Sequence, residues 1–366
     1  MMNDLGIYFH VPFCAKKCPY CDFYSGSFTK KAAEGYTAAV IRNIRHYSQP
    51  ERVTDTVYFG GGTPSLLTAG QLSEIIEAVR SNFSLSQEAE ITLEANPATL
   101  TPEKLAELRK IGVNRLSIGV QSMIPEELSF LGRSHTPERA SKAVLDAHNA
   151  GFDNISCDLM IALPGQTISS LKASIEALVE LPITHISAYI LKVEEGTLFA
   201  ERNVADLLPD EDETAALYLE MVRLLEERGF MQYEISNFAV PGHESKHNCR
   251  YWLCKDYLGI GPAAHSCFGG KRFCVPSDIA DFISSEHQNE DITDDAPCSF
   301  EERVMLRLRL TKGLDLRDEP EHRSDIEKKV PALVSAGYVR FDGNVISLTP
   351  EGFLVSNSVI SSLIFS

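Results

Sequence analysis

The chain has 366 residues, 44% hydrophobic and 23% charged, with 34 Lys and Arg against 51 Asp and Glu for a formal charge of -17. That length buries a sizeable core, predicting one large unit and a smaller one, and so acidic a surface repels phosphate backbones and argues against nucleic acid as a partner. No basic-then-apolar leader and no apolar run near the roughly 18 residues of a membrane span are visible, which predicts a cytoplasmic location; the nine cysteines are then no disulfide framework but, where clustered, a metal or catalytic signal.

In chain order, short β-rich runs alternate with helical periodicity. The strand candidates are LGIYFHV from Leu5, DTVYFGG from Asp55, EITLEAN from Glu90, RLSIGVQ from Arg115, NISCDLMIALPG from Asn154 and HISAYILK from His185. Between them run AGQLSEIIEAVRSNF, TPEKLAELRKIG, TPERASKAVLDAHNAG and TISSLKASIEALVE, two of them opening on Thr-Pro-Glu, a cap residue followed by a first-turn proline. Six strand-helix units predict a parallel sheet. They are too few for an eight-stranded barrel, so the expected class is α/β, a partial (β/α)6 TIM-like barrel over residues 1–230, with its chemistry at the C-terminal strand ends.

Beyond an acidic helix from about Pro209 to Gly229, residues 231–297 read as an irregular connection containing KHNCRYWLC and LGIGPAAHSCFGG. Residues 298–366 read as helices followed by GYVRFDGNVISLTPEG, where Asp342-Gly343-Asn344 predicts a hairpin turn. That order predicts an α+β, winged-helix-like C-terminal domain, and the net charge favours a packing or interaction module over a DNA reader.

The chemistry concentrates in FHVPFCAKKCPYCDFYS, Phe9 to Ser25, where Cys14, Cys18 and Cys21 follow the first strand. Structural zinc wants four closed ligands, and no fourth is obvious. Cys18-Pro19-Tyr20-Cys21 fits a bare thiol-redox pair but leaves Cys14 unexplained. Three soft thiolates suit a cubane iron-sulfur cluster with one iron left open to a small molecule. The run YFGGGTP, Tyr58 to Pro64, places three glycines at the second strand end, where a missing Cβ lets backbone approach a ligand; alone, it could equally be a turn.

Together these motifs resemble the radical S-adenosylmethionine superfamily. The resemblance implies a 4Fe-4S cluster on Cys14, Cys18 and Cys21, whose open iron binds the amino and carboxylate groups of S-adenosyl-L-methionine, which one electron cleaves to methionine and a 5'-deoxyadenosyl radical. Over nearly the whole chain the sequence is similar to the coproporphyrinogen oxidase-like branch. That similarity implies cofactor-binding roles for Tyr8, Tyr20, Gly61, Gly62, Thr63, Glu94, Gln121, Arg133 and Asp158. Strand-end carboxylates and an amide suit ribose hydroxyls or an amino group, and Arg133 suits a carboxylate.

Within the branch, the oxidases that decarboxylate coproporphyrinogen III without oxygen carry a further cysteine where this chain has Phe23, and a longer N-terminal segment. KHNCRYW instead matches an H-N-x-x-Y-W signature of the branch's haem chaperones through His247, Asn248, Tyr251 and Trp252. This resemblance implies haem as a further ligand, with an imidazole to iron and aromatic rings against the porphyrin face. Cys249 and Cys254 are alternative ligands or small buried hydrophobes. The expected function is therefore delivery of haem to acceptor haemoproteins, membrane respiratory enzymes among them, with a homodimer left open. The alternatives are oxidative decarboxylation or other radical chemistry on a tetrapyrrole, and a cofactor-free thiol or zinc scaffold.

Overall fold

A computed structural model describes residues 4–365; the outermost residues assigned to the two terminal units, 1–3 and 366, lie outside the described part. Six strands, β1 (Leu5–Val11), β2 (Gln49–Gly61), β3 (Phe83–Ala95), β4 (Arg115–Gln121), β5 (Ile155–Ile161) and β6 (His185–Ile190), pair in parallel in sequence order. This is the expected partial barrel. Parallel strands covered on both faces normally read as continuous apolar runs. Here only alternate residues do: Ile7, Phe9, Val57, Phe59, Leu93, Leu116 and Ile118 are fully buried in the core beneath the helices. The intervening positions, among them Tyr8, Thr56, Tyr58, Glu94, Ser117 and Asp158, give the inner face a polar lining.

The helices form where caps and apolar stripes coincide. Thr68, Thr101, Thr136 and Thr167 accept the N-terminal amides of Ala69–Asn82, Pro102–Lys110, Pro137–Asn149 and Ile168–Val179, and Asp210 caps the acidic Glu211–Glu227. In the first of these, Leu72, Ile75, Ile76 and Val79 form the stripe facing the core.

The stretch 231–297 departs from its irregular reading. It supplies β7 (Met231–Glu234), β8 (Asn237–Ala239), β9 (Tyr257–Ile260), β10 (His265–Phe268), β11 (Lys271–Cys274) and β12 (Asp291–Asp294). They extend the sheet at both edges to the order β12-β11-β10-β9-β1-β2-β3-β4-β5-β6-β8-β7. Three or four residues are too few for alternation to show in a sequence; the pairing is supplied by the exposed edges of the barrel strands. HNCRYW is likewise helical, within Lys246–Trp252, with Ser245 as its cap.

In the C-terminal unit, helix Phe300–Arg307 packs against Ser356–Ile364 and Lys246–Trp252, and helix Arg323–Ser335 packs on a three-stranded sheet of Leu314–Asp315, Val345–Leu348 and Val339–Phe341. The turn joining the last two has Gly343 at φ 95° and the Asp342 carboxylate accepting the Asn344 and Val345 amides, the expected hairpin chemistry. Val304, Leu308, Ile326 and Val330 join the same contiguous core as the barrel. Among the described residues no helix is long and apolar enough to cross a membrane.

Candidate functional site

The cysteine loop leaves the C-terminal end of β1 and is held at its base, where Phe13–Cys14 pairs in parallel with Gly26–Ser27. Further out, the Phe199 amide donates to the Pro19 carbonyl at 3.0 Å and Tyr20 packs against the Phe199 ring. Cys14, Cys18 and Cys21 are free and partly exposed. The Cys14 sulfur lies 3.5 Å from Thr63 Oγ1, and Arg133 Nη1 donates to the Cys18 sulfur at 3.4 Å. Burial pushes the Cys21 thiol up to about 11, with the two neighbouring thiols adding to it. The sulfurs do not stand as a preassembled metal-binding group among the described residues.

What they do is form one wall of a cavity of about 160 Å³ at the C-terminal strand ends. Tyr20, Gly61, Gly62, Thr63, Glu94, Gln121, Arg133 and Asp158 complete it, so eleven of the residues singled out from sequence meet here with the three cysteines counted among them. Gly61 has φ 103° and a Cβ there would stand 2.7 Å from the His10 ring, while a Cβ on Gly62 would stand 2.6 Å from the Phe13 carbonyl oxygen, so Gly61 admits no side chain without displacing His10 and Gly62 none without moving the base of the cysteine loop. Gln121 is also left-handed, at φ 73°, a strained placement that turns its amide at the strand end.

Two carboxyls face each other across β3 and β5. Glu94 accepts Tyr58 O–H at 2.9 Å and the Gly61 amide at 3.1 Å; Asp158 accepts Ser117 O–H at 3.2 Å. Burial, with Asp158 second, pushes Glu94 up to about 7, while burial pushes Asp158 up to about 6 despite Ser117 and the charges of Arg115 and Arg133. Such a pair is held ready to ionise against a cation. Opposite, Arg133 is fixed by Nη2 donating to the Gly119 carbonyl at 2.6 Å, and its Nε is buried without a partner. Soft sulfur donors, backbone cleared of Cβ atoms, carboxyls for an amino group and a guanidinium for a carboxylate together fit an iron-sulfur cluster with a bound amino-acid cofactor.

Five residues from the sequence reading lie elsewhere. Tyr8 sits under the cavity floor, its hydroxyl 3.2 Å from His10 Nδ1 and its ring 6.0 Å from Tyr58. His247, Asn248, Tyr251 and Trp252 lie on the helix that closes the opposite, N-terminal end of the barrel. That helix docks by its first amides: those of Lys246 and His247 donate to the Glu90 carboxylate at 3.2 and 3.1 Å. The His247 ring is fully buried, with Nδ1 2.9 Å from Thr56 Oγ1 and Nε2 2.9 Å from the Tyr251 hydroxyl. Burial, then Arg250 and Arg115, pushes it down to about 3. Both nitrogens are engaged, so in this geometry the imidazole offers no lone pair to a haem iron.

Sequence reasoning did not single out His10, Tyr58, Glu90, Ser117 or Arg115. The Arg115 side chain is fully buried between Glu90 and Asp158. The available signal was a polar residue at every second position of apolar strands, which marks a lined interior.

The chain matches the family model described as Radical SAM superfamily over residues 8–178 and that described as HemN C-terminal domain over residues 299–355. It is 34% identical over 367 residues to the heme chaperone HemW of Lactococcus lactis, covering 98% of this chain and 96% of that one. With the Escherichia coli heme chaperone HemW it shares 38% identity over 268 residues, covering 72% and 70%. In structure it is similar to the Escherichia coli coproporphyrinogen III oxidase HemN, described as a radical SAM enzyme, at a TM-score of 0.83 and 22% identity over 99% of this chain and 90% of that one.

Proposed function

Because the chain belongs to the HemW family, within the radical SAM superfamily, we propose that it is a haem chaperone: it carries a 4Fe-4S cluster on Cys14, Cys18 and Cys21, S-adenosyl-L-methionine in the adjoining cavity, and haem for delivery to acceptor haemoproteins. When bound, the cluster and its cofactor supply one-electron chemistry. The chain's own residues position the cofactor: Glu94 and Asp158 take its amino group or ribose, Arg133 its carboxylate, and the glycines at the end of β2 leave room for it. The observation that carries the reading is the pairing of Phe23, 61% exposed on the cluster loop where the oxidases have a further cysteine, with HNCRYW folded as a helix that closes the barrel.

The test is anaerobic. Cluster-reconstituted protein receives coproporphyrinogen III, S-adenosyl-L-methionine and a one-electron reductant, and in parallel haem is titrated and then offered to an apo-haemoprotein. The reading expects no loss of propionate carboxylates, a Soret band on titration, and its transfer to the acceptor. Turnover to a vinyl product would replace it with the oxidase.

A further inference from the structure

The chain holds a second group of three sulfurs, and unlike the cluster loop it is assembled from distant segments. Cys254 follows the helix Lys246–Trp252, Cys267 lies on β10, and Cys298 precedes the helix Phe300–Arg307 that opens the C-terminal unit. The Cys298 sulfur stands 3.9 Å from the Cys254 carbonyl oxygen, and its side chain meets the thiols of both Cys254 and Cys267. All three cysteines are free; Cys267 is buried, whereas Cys254 and Cys298 are half-buried. The backbone at Cys254 and Cys298 is left-handed, at φ 51° and 68°. A Cβ disfavours that conformation, so the packing around the group must hold it.

The surroundings single out one of the three for reaction. Two guanidiniums face Cys298. Arg272 donates from Nη1 to the Tyr257 hydroxyl at 3.0 Å and pairs through Nη2 with Glu302 at 2.7 Å, and Arg303 donates from Nη1 to the Cys298 carbonyl at 2.6 Å. Glu302, the acid beside them, also accepts the Cys298 amide. Burial, then the Cys298 side chain, pushes the Cys254 thiol up to about 12, and burial pushes Cys267 up to about 12 against the pull of Arg272. Those two thiols stay protonated, which leaves half-exposed Cys298, beside positive charge, as the sulfur an oxidant meets. The cluster cysteines share one segment of eight residues that can close around a metal as it binds. These three come from separate packed elements and, among the described residues, are not set as a metal-binding group. Thiol–disulfide chemistry needs only two sulfurs within reach.

We propose that Cys298 is a modification site for hydroperoxides and that Cys254 resolves it to a reversible disulfide. The Cys298 sulfur attacks the peroxide, the O–O bond breaks, and the alcohol or water leaves with the thiol proton, giving a sulfenic acid. The Cys254 sulfur then forms the S–S bond, the S–O bond breaks, and the sulfenic oxygen leaves as water with the Cys254 proton. In sum two thiols lose two electrons to the peroxide, and a dithiol reductant returns them. Cys267 is a positioning residue that meets the Cys298 side chain from β10. The bond joins residues 44 apart and fastens the C-terminal unit to the helix that closes the barrel. A transient, sensing disulfide of this kind is what a reducing compartment permits.

The experiment treats anaerobic, cluster-reconstituted wild type, Cys298→Ser, Cys254→Ser and Cys267→Ser with stoichiometric hydrogen peroxide, alkylates the remaining thiols and maps the peptides by mass spectrometry, with circular dichroism as the check on folding. Wild type should yield a peptide linked through Cys254 and Cys298 that a dithiol removes, and its thermal midpoint should rise by several degrees on oxidation. Cys298→Ser should lose the link. Cys254→Ser should leave Cys298 as a sulfenic acid trapped by a 1,3-dione, and Cys267→Ser should form the same link several-fold more slowly. Iron and zinc contents before oxidation should be equal in wild type and Cys298→Ser. Recovery of Cys254 and Cys298 as alkylated thiols from oxidised wild type would overturn the proposal. A link between Cys254 and Cys267 that forms equally well in Cys298→Ser, or metal lost from that variant, would overturn it too.

Discussion

Replacing Glu94 by Gln separates what the cavity costs the fold from what it gives the ligand. Burial and the Asp158 charge move this carboxyl from 4.5 to about 7, which corresponds to about 3 kcal/mol at about 1.4 kcal/mol for each tenfold change. The sign follows from proton counting. Between these two values the folded protein holds a proton that the unfolded chain has lost, so stability from this group is fully present below 4.5 and is lost as pH rises through 7. Gln keeps an oxygen to accept from Tyr58 and Gly61 but cannot ionise. In urea denaturation of the apoprotein, wild type should therefore lose up to about 3 kcal/mol relative to Glu94→Gln between pH 4.5 and pH 8, leaving the variant the more stable at pH 8. Asp158→Asn should move the wild-type midpoint toward lower pH, since Asp158 is the second cause of the shift. At the same time Glu94→Gln should bind S-adenosyl-L-methionine about ten- to a hundredfold more weakly, the value of a charge-assisted bond. Parallel pH-stability curves for wild type and Glu94→Gln would refute the argument, whatever the ligand affinity.

Cys18→Ala should lose the broad charge-transfer absorption near about 400 nm expected of such a cluster, with iron content falling on anaerobic reconstitution; an undiminished cluster would mean another ligand takes its place. Gly62→Ala forces a Cβ to 2.6 Å from the Phe13 carbonyl oxygen, so it should lower iron incorporation while far-ultraviolet circular dichroism is retained. Arg133→Ala removes the guanidinium facing the cavity and should weaken cofactor binding by about ten- to a hundredfold with the cluster still formed, measurable by equilibrium titration. His247→Ala leaves the Thr56 and Tyr251 hydroxyls without their buried partner and should cost about 2–4 kcal/mol, seen as a lowered denaturation midpoint.

Alternation of strand and helix was readable because each unit carries its own punctuation: a Thr cap, often a first-turn proline, an apolar stripe, then a β-rich run. The cluster loop was readable for a different reason, since three soft donors within eight residues can serve few chemistries whatever the fold. What could not be read depends on register between distant strands. Tyr58 meets Glu94 because Tyr58 stands opposite Thr92 in the β2–β3 ladder, and Ser117 meets Asp158 through the pairing of β4 with β5; nothing local in either segment announces its partner. The seven-residue helix at Lys246–Trp252 is too short to show a period, and its seat on Glu90 spans 156 positions of sequence.

That seat changes how the two motifs relate. Read along the chain, the glycine strand end and Glu94 are separate from the HNCRYW segment by more than 150 residues. In the structure they terminate one buried column: Glu94 in the cluster cavity accepts from Tyr58, the Tyr58 ring lies 5.1 Å from that of His247, and His247 reaches Tyr251 on the closing helix. Each member is buried or half-buried, so each polar contact must be kept once water is excluded. A side chain of different size at Tyr58 would therefore disturb the carboxyl at one end and the helix at the other. The polar interior is thus what an incomplete barrel requires in order to hold a charged cofactor at its top while a polar helix closes its base. An apolar interior would strand Glu94 and His247 alike without partners.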